Sequence, residues 1–165
     1  LGSTILDAAI DRFAGRQRLL VHAQPVEMRL VHIDDVVRAS LHLAVYGAAS
    51  GRAFNVVFPQ YPTSHRIVEI VGQALDMTPE LSDDPECGSS YRERTAQRSE
   101  MLRRGMRPDL LLTEERFRFL RKANRNNRLS VDALLATGFR FGDTDVAEPI
   151  EQTIAWYEHN RWIVR

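Results

Sequence analysis

Strand-like and helix-like patterns alternate over the first half of this chain, and this alternation restricts the folds open to it. Apolar residues recur at helical spacing over 3–13 and again over 35–46. Short segments rich in Val, Leu, Ile and Phe lie at 19–21, 28–33 and 53–58 and have the composition of strands. Because such alternation is typical of α/β proteins, we predict an α/β fold with few short strands.

Small polar residues mark the starts of the predicted helices. Ser, Thr, Asp and Asn side chains accept hydrogen bonds from the first free amides of a helix, so they favour this position. We expect Gly15 to end the first helix because glycine adopts the left-handed conformation found there. The candidate caps are Ser3 for the first helix, Asp34 or Asp35 for the second, Thr63 or Ser64 for a helix to Leu75, Ser130 for a short helix to Ala136, and Thr144 or Asp145 for the last.

The chain of 165 residues has the length of one ordinary domain. Residues 1–76 are predicted to be mixed α/β, and 77–90 to form a flexible loop, since prolines, a glycine and small polar residues cluster there. Residues 91–165 are predicted to be mostly helical, with helices near 91–104 and 114–122. No repeat or Gly/Ser-rich linker divides the sequence, so we expect a single domain over 1–165.

Charge and cysteine content exclude several classes of protein. The formal net charge is zero, which argues against general nucleic-acid binding. No apolar run reaches the length of roughly 18 residues that a membrane span requires. Cys87 is the sole cysteine, so no intrachain disulfide forms, and we expect an unreactive loop thiol in a reducing, cytoplasmic setting. Basic residues outnumber acidic ones between Arg92 and Arg128. This excess fits a solvated helix face first, a phosphate-facing wall second and an RNA or DNA surface last.

Several segments together resemble one enzyme family. They are Arg-Leu-Val-His-Ile-Asp-Asp-Val-Val-Arg-Ala at 29–39, Gly-Arg-Ala-Phe-Asn-Val-Val at 51–57, Leu-Ser-Val-Asp-Ala-Leu-Leu-Ala-Thr-Gly-Phe at 129–139 and Ile-Ala-Trp-Tyr-Glu-His-Asn at 154–160. In order and spacing they resemble the C-terminal, substrate-binding half of the extended short-chain dehydrogenase/reductases, the NAD-dependent epimerase/dehydratase family. The fold implied is the C-terminal portion of such an enzyme: few short strands plus a mostly helical substrate-binding subdomain.

The resemblance implies that catalysis and cofactor binding belong to a Rossmann half that this chain lacks. The family's Gly-x-x-Gly-x-x-Gly turn is missing, and no tyrosine here has a lysine four residues later. We therefore expect NAD or NADP in the complete enzyme, none bound by this chain alone, and no catalytic residue within it. The sequence opens without methionine at Leu1-Gly2-Ser3, already in a helix pattern, so we expect a fragment.

Three residues are candidates for substrate binding: Arg29, His32 and Arg107. Family members that act on sugar nucleotides usually have an arginine four residues before the histidine, where this chain has Met28, so Arg29 is shifted by one position. Arg107 begins a segment that loosely resembles the family's Arg-Pro-Gly-Asp phosphate loop. The substrate is therefore a sugar nucleotide or a phosphate-free hydroxyl or carbonyl compound. His32 also fits a core residue, and no third ligand joins it and Asp34 to bind a metal.

Two functions follow. The first is the substrate-binding half of an NAD(P)-dependent epimerase, dehydratase or related reductase, incomplete as a catalyst alone. The alternative is a non-catalytic module derived from that fold, which binds a ligand or a protein. In either case the partner-facing sides of helices 35–46 and 64–75 are expected to expose an apolar patch, which meets the missing half or drives self-association.

Overall fold

A computed structural model of the chain describes residues 2–83, 102–105, 128–142 and 145–163. It is a mixed α/β structure with five helices and a two-stranded parallel sheet. The coarse α/β prediction is thus confirmed. The elements are α1 (Gly2–Phe13), β1 (Arg18–His22), α2 (Ile33–Val45), a 3-10 turn (Gly47–Ala49), α3 (Ser64–Leu75), β2 (Thr78–Ser82), α4 (Asp132–Leu135) and α5 (Ala147–His159).

The end of α1 turns the chain directly into the sheet. Gly15 has a φ of +79°, and the Arg16 amide donates to the Asp11 carbonyl at 2.9 Å. This left-handed glycine ends the helix as predicted. β1 follows at once, so the strand expected at 19–21 is also confirmed.

β2 lies inside the stretch 77–90 that was predicted to be a loop, so that prediction is wrong for Thr78–Ser82. The strand pairs in parallel with β1, from Arg18 opposite Thr78 to His22 opposite Ser82. Its sequence Thr-Pro-Glu-Leu-Ser contains a proline and lacks alternating apolar residues, so it has little strand signal. The pairing partner, which is distant in sequence, produces the strand.

α3 lies at the centre of the larger apolar cluster, here called the main core. Thr63 caps the helix as predicted, since its hydroxyl accepts from the Arg66 amide at 3.2 Å. α3 contacts α1, α5 and both strands, and so is covered on most of its circumference. The buried residues of the main core are Ile5, Ala8, Ala9, Leu19, Val21, Phe58, Ile67, Val68, Ile70, Val71, Leu75, Met77, Val146, Ile150, Ile154 and Ile163.

The passage from α3 to β2 is tight. Asp76 ends the helix in the left-handed conformation, with a φ of +57°. A Cβ atom at Gly72 would lie 2.8 Å from the Met77 carbonyl oxygen and 3.3 Å from the Pro79 ring. Glycine is therefore required where the returning chain crosses the last turn of α3.

The strands predicted at 28–33 and 53–58 do not form. Single backbone bonds hold these segments: the Met28 amide donates to the Pro62 carbonyl at 2.8 Å, and the Phe58 amide donates to the Leu30 carbonyl at 2.7 Å. A strand needs a continuous ladder with a neighbour, and the described residues supply none here. In these segments Val57 and Phe58 are buried, whereas Val31 and Ile33 are exposed, so their apolar composition indicates neither pairing nor uniform burial.

A second, smaller apolar cluster lies beneath α2, and we call it the α2 cluster. Ala39, Leu134 and Phe139 are buried in it. Partly buried Leu43, Phe54, Val56 and Phe141 surround them. The cluster therefore joins α2 and α4 with the extended segment that follows α2.

At the predicted starts of α4 and α5, Val131 and Val146 occupy the N-cap positions without a side-chain bond, while the predicted Ser130 and Asp145 accept from neighbouring amides. The residue that precedes α4 is Val131, and Ser130 instead exchanges hydrogen bonds with Asp132. Before α5, the Asp145 carboxylate accepts from the Val146 amide at 2.7 Å. The predicted apolar face of α5 is confirmed, since Ile150 and Ile154 are buried and Tyr157 packs beside them.

Some predictions lie outside the described residues: the alternative cap Thr144, Cys87, the helix at 114–122 and most of the helix at 91–104. Of the last, Leu102 and Arg103 are helical. None of the helices within the described residues has the length and apolarity needed to cross a membrane.

Candidate functional site

A cleft of about 240 Å³ lies between the start of α2 and the first turns of α5. It combines residues from distant parts of the chain, because the segment before α2 and Phe58 form one side and α5 forms the other. Most of the wall is apolar, which is usual for small-molecule sites. The lining residues are Leu30, Val31, His32, Ile33, Asp35, Phe58, Val146, Pro149, Ile150 and Thr153.

His32 lies in the cleft wall at the N-cap position of α2. Its side chain makes no capping hydrogen bond. The ring is 19% exposed, and its Nδ1 lies 3.7 Å from an Asp34 carboxylate oxygen. Of the three predicted substrate-binding residues, His32 is therefore the one that the structure brings to the cleft.

Asp35 is the buried acidic group of the site. Neither Asp34 nor Asp35 caps α2, so that prediction is wrong. Instead, Oδ1 of Asp35 accepts hydrogen bonds from the Arg38 guanidinium and from the Gly142 amide, each at 2.9 Å. Asp35 is 3% exposed. Its carboxylate thus links α2 to a segment more than a hundred residues later, which helical periodicity alone does not indicate.

A second predicted residue, Arg29, is not part of the cleft wall. It is exposed and precedes Leu30, the first lining residue. Arg107 lies outside the described residues. Substrate binding by Arg29 and Arg107 stays a prediction.

The three longer segments that carry the family resemblance contact one another around the α2 cluster. The Asn55 side chain donates to the Ser130 carbonyl at 2.9 Å. The Arg38 guanidinium lies 5.8 Å from the centre of the Phe139 ring, and Ala39 packs with Phe54 and Leu134 in the α2 cluster. Just beyond the segment ends, Arg38 also donates to the Arg140 carbonyl at 3.0 Å, and His42 Nε2 lies 2.8 Å from the Thr137 hydroxyl. Residues 29–39, 51–57 and 129–139 are therefore neighbours in space, and the first of them forms one wall of the cleft.

One face of α2 is apolar and uncovered within the described part of the chain. Ile33, Val37, Leu41 and Val45 are 65, 50, 66 and 84% exposed. Their spacing of four residues aligns them, so we call them the α2 stripe. The expectation of an exposed patch is met for α2 but is wrong for α3, whose apolar residues are buried in the main core.

A second, shallower depression of about 610 Å³ lies beside α1 and the sheet. Its charged groups neutralise one another: Arg16 pairs with Asp11 at 2.9 Å, and Arg18 pairs with Glu80 at 3.0 Å. The Arg18–Glu80 pair lies at the surface, where ion pairs usually contribute little stability. Asp11 is buried like Asp35, and its carboxylate is bound by Arg16.

The shifted pKa values lie away from the cleft. Burial raises the pKa of the Tyr157 hydroxyl, which packs against the main core. A two-point contact from the Arg128 guanidinium lowers the pKa of the exposed Glu27 carboxyl. Across 2–83, 102–105, 128–142 and 145–163, no three His, Cys, Asp or Glu side chains are grouped to hold a metal ion.

Comparisons with models of protein families, with curated proteins and with solved structures find no match to this chain. A function must therefore be inferred from the cleft, the α2 stripe and the contacts among the three segments.

Proposed function

We propose that this chain is the substrate-side part of a cytoplasmic NAD(P)-dependent epimerase, dehydratase or reductase of the extended short-chain type. The observation that carries the proposal is the contact among residues 29–39, 51–57 and 129–139, the longer segments through which the sequence resembles that family. They surround the α2 cluster, and the first of them continues into the cleft. Segments far apart in sequence therefore meet at one apolar cluster, and residues of the first segment line the adjoining cleft.

In this proposal the cleft orients the reacting end of the substrate. His32 and Asp35 supply its polar contacts, while Leu30, Phe58 and Ile150 exclude water from around them. Exclusion of water strengthens hydrogen bonds to the substrate. Proton transfer is assigned to groups outside this chain.

The starts of α2 and α3, as the structure describes them, do not fit a dinucleotide. A pyrophosphate is held by a glycine-rich turn that leads into a helix N-terminus, whereas α2 begins at His32-Ile33 and α3 at Thr63-Ser64. The proposal therefore places NAD(P) on a separate Rossmann half. That half would cover the α2 stripe, since an apolar helix face of this size is a typical contact surface.

Fusion to a Rossmann half tests the proposal. The chain is titrated with NADH alone and then after fusion to the NAD-binding half of an extended short-chain dehydrogenase/reductase. We expect no NADH fluorescence change with the chain alone, and substrate-dependent reduction of NAD by the fusion. His32→Ala should lower that activity, whereas Asp34→Ala, at a neighbouring exposed position, should not. Tight NADH binding by the isolated chain would contradict the proposal.

A second candidate is a non-catalytic module that binds a protein partner or a second copy through the α2 stripe. The uncovered Ile33, Val37, Leu41 and Val45 favour it directly. Light scattering of the chain, with Leu41→Lys and the matched Leu81→Lys on β2, tests this candidate. Both leucines are similarly exposed, at 66 and 62%. Self-association that Leu41→Lys alone abolishes supports the module, and a monomer at every concentration contradicts self-association.

A further inference from the structure

Among the described residues, the carboxylate of Asp35 accepts hydrogen bonds on only one of its two oxygens. Oδ1 accepts both hydrogen bonds, from Arg38 and from the Gly142 amide. No described residue donates to Oδ2. The Asp35 side chain is 4% exposed, and Asp35 is among the residues that line the cleft. Because Arg38 and the Gly142 amide both bind Oδ1, Oδ2 is the oxygen left for a ligand in the cleft.

The size of the cleft limits what reaches Oδ2. A cavity of about 150 Å³ with an apolar lining accommodates benzene, while sites for drug-sized ligands span roughly 300–1,000 Å³. The volume of about 240 Å³ therefore matches one substituted six-membered ring. Leu30, Phe58, Val146 and Ile150 would contact the apolar body of such a ring.

The charges around Oδ2 limit the chemistry of the occupant. Arg38 lies 2.9 Å from Oδ1 and neutralises the carboxylate, so the cleft does not need a cation. A phosphate would meet a carboxylate oxygen in an apolar surrounding, which is strongly unfavourable. A neutral hydroxyl fits, because it donates a hydrogen bond to Oδ2. His32, also in the wall, has ring nitrogens that donate or accept.

We propose that the cleft binds a neutral, phosphate-free alcohol with an apolar body of about one ring, whose hydroxyl donates to Oδ2 of Asp35. That such an alcohol is the enzyme's substrate rests on the proposed function, whereas its binding in the cleft does not. Of the two expected substrate classes, the proposal favours the phosphate-free hydroxyl compound over the sugar nucleotide. A ketone of the same shape lacks the proton that Oδ2 requires and would bind more weakly.

Three probes of one shape test this proposal on the full chain: cyclohexanol, cyclohexanone and cyclohexyl phosphate. Binding is measured by chemical-shift titration of the backbone amides of 30–35 and 146–153. We expect cyclohexanol to bind roughly tenfold more tightly than cyclohexanone, because a hydrogen bond to a charged acceptor is at stake. Cyclohexyl phosphate should not bind. Equal affinities for alcohol and ketone, or preference for the phosphate, would overturn the proposal.

The variant Asp35→Asn should change the preference between alcohol and ketone, which a purely structural role of Asp35 would not do. The amide oxygen is expected to stay toward Arg38 and the Gly142 amide, which turns the NH₂ group into the cleft. A donor then replaces the acceptor, and the preference should invert to the ketone. An unchanged preference in the folded variant would refute the role of Oδ2.

A second pair of variants keeps the test decisive if Asp35→Asn does not fold. Val31→Phe, at the cleft wall, should abolish cyclohexanol binding, whereas Val45→Phe, outside the cleft on the α2 stripe, should leave it intact. Equal binding by the two variants would place the alcohol elsewhere and overturn the proposal.

The two proposals fail separately. If the chain prefers cyclohexanol but its fusion to a Rossmann half oxidises no alcohol or sugar nucleotide, the proposed function is wrong and the ligand class holds. If the fusion acts on a sugar nucleotide while the cleft ignores cyclohexanol, the ligand class is wrong and the function holds.

Discussion

The main core and the α2 cluster are held together in different ways. In the main core, α3 is surrounded by α1, α5 and the sheet, and burial of apolar side chains supplies most of the stabilisation. The α2 cluster buries three side chains fully and depends on polar links from Asp35, Arg38 and His42 to residues 137–142. Among the described residues, the first region buries the apolar side chains of its central helix, whereas the second leaves the α2 stripe exposed.

The largest expected effect is in the main core. Ile67 is 1% exposed, so Ile67→Ala should lower the free energy of unfolding by about 2–5 kcal/mol through lost burial and a residual cavity. The matched control is Ile33→Ala on the α2 stripe, where Ile33 is 65% exposed and the change should be within about 0.5 kcal/mol. Urea denaturation measures both. Equal losses at the two positions would mean that the stripe is covered.

The next effect concerns the polar links of the α2 cluster. Asp35→Ala removes the acceptor of the Arg38 guanidinium and of the Gly142 amide, and should cost about 1–3 kcal/mol. Asp34→Ala, whose carboxylate is 77% exposed, serves as the control and should cost far less. Hydrogen exchange should report loss of protection at Gly142 in the first variant alone. Retained protection there would show that apolar contacts hold this region too.

A smaller effect distinguishes the two helix starts. Thr63 caps α3 with its side chain, while His32 provides no such bond to α2. Thr63→Ala should therefore cost about 1 kcal/mol. Thr63→Ser, which retains the hydroxyl, should restore most of the loss in thermal unfolding. If the serine variant is as unstable as the alanine variant, the methyl group and not the cap is what matters.

The smallest effect belongs to the exposed pair of Glu27 and Arg128, which connects the segment before α2 to the start of the α4 region. The pKa of Glu27 is lowered, so its contribution is present above the unfolded pKa and is lost as the pH falls through the folded pKa. Arg128→Gln should raise the pKa of Glu27 in a carboxyl NMR titration. Arg66→Gln, which removes a different surface cation, should leave it unchanged.

The sequence predicts the elements that depend on residues close together in the chain. α1, α2 and α3 follow helical apolar spacing, Gly15 ends α1, and Thr63 caps α3. β2 was missed because its strand character comes from its partner β1. The strand predictions at 28–33 and 53–58 are wrong because apolar, β-branched composition does not determine whether a neighbouring strand is there to pair.

The site was less predictable than the helices. His32 stood out through a family resemblance, but Asp35 was interpreted as a cap, because nothing near it in sequence reveals the Gly142 amide. The α5 side of the cleft lies more than a hundred residues after His32. Such a wall is set by tertiary contacts, which residue spacing does not encode.

The parallel pairing of β1 with β2 also governs how the chain reaches its native state. The strands match residues about sixty positions apart, so the ladder forms only after a long loop has closed. Folding speed falls as contacts become more distant in sequence. The α2 stripe lies on one helix, so its alignment requires only contacts that are local in sequence. During synthesis, the apolar α2 stripe would therefore be exposed before β1 and β2 pair. Exposed apolar surface of this kind is what chaperones bind.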